Sequence, residues 1–413
     1  MRSLLSIRAT NFLSLQHVDV ELQDLSVLVG PNGVGKSNLL RVIQFLGDTA
    51  RLDLVPAIAT HGGFDRLLFR TEEEERKERA PRITLGITGL ITGNSSDNAP
   101  DQYELSFWQT VMSTGIRPTR PITIVRRREE FAFKRTKGRG RRITVSGSKV
   151  EFERSTAAGS SQQGSKTIPL AATSSGLSTL PRLGMEDGGE QINMLAELFT
   201  TFRVFEIDAQ KARAPSRFVA ERASKLESDA GNLSAFLRWL NLEHPDVFEL
   251  LEEDLRHIVP SVINIKFELI GGSDDATFAI QLVERGLKGS TSLAEASFGT
   301  IRALALLAML HDPNPPRLTC VEEIDHGLHP HALDRIVERM RSASKRTQLL
   351  VVSHSPALAN RLQPNELIVC ERDYETGGSS IPAISSEQVA AMARESGLLP
   401  GELWFSGALG GAL

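Results

Sequence analysis

The stretch Gly30-Pro31-Asn32-Gly33-Val34-Gly35-Lys36-Ser37 decides the fold class. It fits the spacing G-x-x-x-x-G-K-[ST], and its neighbours supply the setting that spacing needs. A nearly all-apolar run over 25–29 precedes it, and an amphipathic helical pattern over 37–46 follows, with Asn38 in its first turn. The glycines let backbone N–H groups close around phosphate oxygens, and the helix N-terminus adds partial positive charge. Lys36 then reaches the β- and γ-phosphates, and the Ser37 hydroxyl ligates Mg²⁺. Residues 30–38 are the expected cradle for ATP, with Mg²⁺ as cofactor.

From residue 293 the pattern alternates: helix 299–311, strand 318–322, helix 330–343, strand 348–352, helix 355–362 and strand 366–370. That texture predicts a parallel sheet with crossover helices. Open α/β sheets bind ligands beyond the carboxyl ends of their strands. Leu318-Thr-Cys-Val-Glu-Glu-Ile-Asp325 ends a strand in carboxylates. Glu322 is placed to hold Mg²⁺, directly or through water, and Glu323 to orient and polarise an attacking water. His354, just past the next strand in Leu349-Leu-Val-Val-Ser-His354, can contact the γ-phosphate and hold the same water. Ser297-Phe298-Gly299 opens another helix and makes a second anion site. Two phosphate-binding edges in one chain make sense if Ser297 and Gly299 close over nucleotide held by another copy.

In this order, phosphate loop, Ser-x-Gly segment, acidic strand and histidine resemble ABC-type ATPase heads of the RecF/SMC/OLD-like branch. Gly30 to Asn38 looks like that branch's Walker A, and Asn11-Phe12 is similar to its opening strand and turn. Glu322-Glu-Ile-Asp-His-Gly-Leu-His-Pro330 looks like Walker B and the D-loop, with Glu where many relatives have Asp. Ser297-Phe298-Gly299 resembles the signature, with Phe298 where relatives often carry Asp or Gly. Gly62-Gly63-Phe64 lies where a Q-loop is expected but has no Gln. The closing segment 401–410 is similar to stand-alone predicted AAA ATPases of bacterial defence operons, often encoded beside a small effector gene. The resemblance covers 1–70 and 190–413. It implies an α/β, ABC-type (P-loop) head with a mixed sheet, an inserted antiparallel β lobe and a short helical lobe. It also implies nucleotide sandwiched head to tail in a homodimer or higher oligomer.

The chain has 413 residues, 40% of them apolar and 24% charged, and a net charge of −4, which excludes a uniformly basic nucleic-acid coat. Cys320 and Cys370 lie in strand-like runs, so a disulfide scaffold is excluded and a reducing cytoplasm is expected. No apolar run approaches the roughly 18 residues of a membrane span. The N-terminus continues into a strand pattern without a signal-peptide core. No membrane partner is expected.

The expected organisation is a Walker A lobe over 1–71, the β insert over 72–155, a flexible Ser/Gly-rich linker over 156–189, a helical lobe and β segment over 190–290, and the signature, Walker B and His354 lobe over 291–413. Residues 72–79 are a charge run that reads as a solvated helix end or loop. Strands are expected at 82–91, 102–110, 121–134 and 142–153, and a helical stretch over 229–258 capped by Asn232. Between Arg117 and Arg142 lie eleven basic residues against Glu129 and Glu130, with Phe131 and Phe133 interleaved. The candidates for binding DNA or RNA are Arg126, Arg127, Arg128 and Arg141; a solvated or protein-docking face is the alternative. His326, His329 and His331 cluster in the D-loop stretch and read as part of it rather than as a metal site. Too few residues follow His354 for the Toprim nuclease of some OLD-like relatives.

The expected reaction is hydrolysis of ATP to ADP and phosphate. Little else in the chain could act on a substrate, so hydrolysis is expected to gate something separate. Three roles stand: control of an effector (a nuclease or toxin) in antiviral defence, RecF-like DNA repair with ATP-gated DNA binding, and, least favoured, a transporter's ATP-binding subunit. The candidate docking surfaces are the β lobe and 398–413, with Trp404 and Phe405.

Overall fold

The computed structural model describes residues 3–70, 81–112, 122–135, 140–155, 161–166, 170–182, 188–270 and 276–409. In chain order the strands are β1 (Leu4–Phe12), β2 (Leu15–Glu21), β3 (Leu25–Val29), β4 (Arg82–Gly89), β5 (Asp101–Met112), β6 (Ile122–Phe133), β7 (Arg141–Ser146), β8 (Lys149–Ser155), β9 (Ser161–Lys166) and β10 (Arg203–Phe205). There follow β11 (Ser216–Arg217), β12 (Val262–Ile270), β13 (Thr277–Glu284), β14 (Ser290–Ser292), β15 (Leu318–Glu322), β16 (Gln348–Ser353), β17 (Leu367–Val369), β18 (Glu371–Arg372) and β19 (Ser379–Ser380).

A five-stranded sheet of order β10-β15-β16-β3-β17 is parallel throughout. β3 and β16 are buried along their whole length, as their nearly all-apolar runs suggest. The sheet divides two cores. Leu28, Leu350 and Val352 face one, with the Walker A helix Lys36–Leu52 and the antiparallel strands. Val27, Val29, Leu349 and Val351 face the other, with the helical lobe. Period-two alternation thus sends neighbouring residues of one strand into different layers.

The antiparallel strands lie in three further sheets: an eight-stranded one of order β2-β1-β4-β5-β6-β7-β8-β9, a four-stranded one of β11 to β14, and the β18-β19 pair. The β insert is therefore not a lobe apart: β1 pairs with β2 on one edge and β4 on the other, so the N-terminal hairpin and the insert are one surface. Parallel and antiparallel strands lie in separate sheets rather than one mixed sheet. Gln348 at the start of β16 links the two. Its side chain accepts from Leu4 N at 2.8 Å and Ser3 N at 3.1 Å, and donates to Leu4 O at 2.7 Å and Gln23 O at 2.9 Å.

The segment expected to be a linker is structured where it is described. β9 pairs with β8, and the turn at Ser175-Gly176 is buried. The reason is a carboxylate, Glu129 on β6, which accepts from Gly176 N at 2.6 Å and Ser175 Oγ at 3.0 Å. Composition concealed this because small polar residues also suit a turn wrapped around a buried charge. The helical stretch is two helices, Leu233–Glu243 and Pro245–Ile258, since Pro245 begins the second. Asn232 precedes the first but caps nothing with its side chain, which instead binds Glu227 N and Lys225 O. The charge run 72–79 lies outside the described residues. No helix among the described residues is long and apolar enough to cross a membrane.

Candidate functional site

Register brings the sequence motifs together. Glu322 pairs with Val352, and Ser353 with Val29. Hence Glu322-Glu323, Ser353-His354 and Val29-Gly30 leave the parallel sheet at one carboxyl edge, where such sheets bind ligands. There Ser37 Oγ donates to Glu322 Oε2 at 3.1 Å. A hydroxyl and a carboxylate meeting in this way are a hard-oxygen donor pair of the kind Mg²⁺ takes.

The loop over 30–35 is shaped as a phosphate cradle. Gly35 has φ +99°, and a Cβ there would overlap Ser379 Oγ and Ser14 Oγ. Asn38 donates to Ser14 Oγ at 2.8 Å, and Arg372 donates to Gly33 O at 3.1 Å. Ser14, Arg372 and Ser379 thus brace the loop from the β1–β2 turn and the β18–β19 hairpin. No sequence motif marked them. Lys36 is buried, and its ammonium donates to Gly30 O at 2.7 Å and Pro31 O at 2.6 Å. Burial pushes it down to about 8, with Glu322 and Glu323 among the charges opposing the shift.

Glu323 is the first residue past β15 and has φ +50°. For a side chain with a Cβ that conformation costs roughly 1–3 kcal/mol and persists only where the surroundings impose it. Its carboxylate is half exposed, 3.9 Å from His354 Nε2 and 3.3 Å from His326 Nδ1. The other nitrogen of His354 lies 3.4 Å from Gly30 O. Asp325 accepts from Ser353 Oγ at 2.5 Å, tying the ends of β15 and β16. A carboxylate and a histidine thus stand together at the phosphate cradle, a pair of groups able to hold and polarise a water.

Ser297 is exposed and caps the helix Phe298–Leu310, accepting from Thr300 N at 3.2 Å. Among the described residues, neither Ser297 nor Gly299 is hydrogen-bonded to the chain's own phosphate loop. Phe298 lies over Gly327, where φ is +73° and a Cβ would strike its ring; the ring centre is 5.4 Å from that of His326. The departure at Phe298 is thus matched by glycine in the D-loop. His329 and His331 stack with centroids 5.2 Å apart, and no group of three metal-ligating side chains occurs among the described residues.

The nucleic-acid candidates separate. Arg127 is in the core, with Nε 3.0 Å from Glu129 Oε1, and Tyr103 Oη donates to the same carboxylate at 2.9 Å. Arg127 cannot meet a phosphate, and its assignment is corrected to a structural one: on a strand, alternate residues face opposite sides. Arg126 and Arg128 face outward, Arg126 opposite Trp108, over which Arg82 stacks at 4.1 Å. Arg141 is half-buried and donates to Gln191 Oε1 at 3.2 Å. Arg117, Arg120, Lys137 and Arg139 lie outside the described residues. Of the closing pair, Trp404 is buried and Phe405 is 74% exposed.

A family model described as "AAA ATPase domain" matches residues 3–97, and one described as "AAA domain, putative AbiEii toxin, Type IV TA system" matches 193–360. The DNA repair protein RecN of Rickettsia prowazekii is 28% identical over 163 residues, which is 37% of this chain and 28% of RecN. RecN of Rickettsia typhi is 29% identical over the same shares. The chain thus spans little more than a quarter of the length of these relatives. Among solved structures, an SMC head bound to the C-terminal winged-helix domain of ScpA aligns with TM-score 0.53 at 14% identity, covering 94% of this chain and 99% of that one.

Proposed function

We propose, from the premise that the chain is a RecF/SMC-like ABC-type ATPase, that it hydrolyses ATP to ADP and phosphate between two copies of itself. The observation that carries this is the strand register that gathers Ser37, Glu322, Glu323 and His354 at the mouth of the Gly30–Lys36 loop. The loop's backbone N–H groups and the Lys36 ammonium hold the β- and γ-phosphates. Ser37 and Glu322 would hold Mg²⁺, which would supply neutralisation of phosphate charge there. Glu323 and His354 orient the water, whose oxygen bonds to the γ-phosphorus as the bond to the β-γ bridging oxygen breaks. Ser297 is exposed, and among the described residues neither it nor Gly299 is hydrogen-bonded to its own cradle, which leaves both available to nucleotide on a second copy.

The work coupled to hydrolysis is control of a separate effector, a nuclease or toxin, in antiviral defence. The toxin–antitoxin wording of the matched family model supports this. The RecN matches support the second reading, ATP-gated DNA binding in repair. One experiment tests the chemistry and the coupling. Glu323→Gln should bind ATP as the wild type does but turn it over at least about 10²-fold more slowly. With ATP it should retain the neighbouring gene's product in a pull-down more strongly than with ADP. Wild-type turnover in Glu323→Gln refutes the assignment of the acid. Equal or absent retention in both states, together with DNA cleavage by the chain alone, refutes the effector reading.

A further inference from the structure

The helix Phe298–Leu310 is buried at every position from Ile301 to Leu310, and Arg302 is its only charged residue. Arg302 is 4% exposed. Nη1 donates to Ile207 O at 2.9 Å, Nη2 donates to Glu323 O, and Nε is buried with no hydrogen-bond partner among the described residues. None of the ion pairs among the described residues includes Arg302. A charge desolvated onto two carbonyls is a costly way to tie two loops, since neutral donors could do the same. The carbonyl it holds belongs to the one residue of the acidic strand end with left-handed backbone. The guanidinium also lines a cleft of about 540 Å³ with Glu206, Asp208, Glu322 and Glu323.

We infer that Arg302 is a positioning residue for hydrolysis: it couples the Ser297–Gly299 segment to Glu323, so that the carboxylate aligns on the water when that segment engages nucleotide on a second copy. The inference rests on the proposed hydrolysis. Packed on all sides, the helix cannot flex locally, and a push on its first turn moves it as a body. Arg302, one turn further on, passes that movement to the Glu323 carbonyl. The peptide there reorients, and the carboxylate shifts between His326 and His354. Phe298, seated on Gly327, moves the D-loop with it.

Kinetics of the full chain test this with wild type, Arg302→Ala, Arg302→Lys, Glu323→Gln and the double variant Arg302→Ala/Glu323→Gln. Arg302→Ala should lower kcat by about 10- to 100-fold and leave KM and the affinity for a fluorescent ATP analogue within about twofold. In single-turnover measurements the double variant should be no slower than Glu323→Gln, because Arg302 acts through that carboxylate. Arg302→Lys keeps the charge but cannot span both carbonyls, and should recover only part of the rate. Unchanged kcat in Arg302→Ala, or a loss that multiplies with that of Glu323→Gln, overturns the inference. Should Arg302→Ala not fold, Arg302→Lys alone and combined with Glu323→Gln is judged by the same two criteria. A wild-type chain without ATP turnover overturns hydrolysis and this inference together; wild-type turnover with multiplying losses overturns this inference only.

Discussion

Lys36 shows how a single side chain stores a functional cost. The loop folds onto its own ammonium, which burial pushes down to about 8 from an ordinary 10.5. Between those values the unfolded chain holds a proton that the folded chain has lost, so this residue's contribution to stability rises with pH across that window. Nucleotide affinity runs the other way. Phosphates favour the charged ammonium, so binding takes up a proton above pH 8. The expected outcome is ATP affinity falling steadily from pH 8 to about 10, with calorimetry in buffers of different ionisation enthalpy showing proton uptake. Lys36→Met should bind weakly and lose this dependence; a wild-type affinity flat over the same range contradicts the account.

At the scale of elements, β6 shows why a basic run is not a basic surface. Arg126 and Arg128 point out, and Arg127 and Glu129 point in, because the side-chain period of a strand is two. The inward pair is a buried ion pair whose carboxylate also orders the Ser175-Gly176 turn and accepts from Tyr103. Burial, together with Glu129, drives the Tyr103 hydroxyl well above its usual value. Glu129→Ala should therefore cost about 3–5 kcal/mol in chemical denaturation, since it strands Arg127 in the core. Arg126→Glu with Arg128→Glu should leave stability and ATP turnover intact and abolish duplex DNA binding that weakens steeply with salt. Binding to DNA that does not respond to salt, or none by the wild type, returns these arginines to a solvated or protein-docking face. The two family matches stop at 97 and resume at 193, so this ribbon falls in the stretch neither covers.

For the whole molecule, the proposed pairing makes the exposed Ser297 and the cradle of the same chain halves of two different sites. In that proposal a head-to-tail pair of copies completes both, and ATP adds a γ-phosphate contact that ADP lacks. Glu323→Gln, expected to hold ATP without consuming it, should sediment as a dimer with ATP and shift toward monomer with ADP. A strict monomer in saturating ATP rules the arrangement out. Trp404 packs the closing helix Pro400–Phe405 onto the head, leaving Phe405 as the exposed aromatic at this end.

Strand, loop, helix and the αβαβ order were legible in the sequence, because a phosphate cradle needs glycine and lysine at fixed spacing and a doubly covered strand needs a largely apolar run. That Glu322, Glu323 and His354 come together was legible for a related reason: each stands at or just past the end of a strand, and parallel strands share one carboxyl edge. Their pairings depended on the register of β15, β16 and β3, which no local pattern specifies. Tertiary structure alone placed Arg127 inside and Arg126 outside, turned an apparent linker into a strand and a buried turn, and braced the loop with Ser14, Arg372 and Ser379. These are contacts between residues up to hundreds of positions apart, set by packing rather than by propensity. Arg302 lies between the two cases. A lone charge in an apolar helix was visible in the sequence, but only the fold could show that it grips the carbonyl of Glu323.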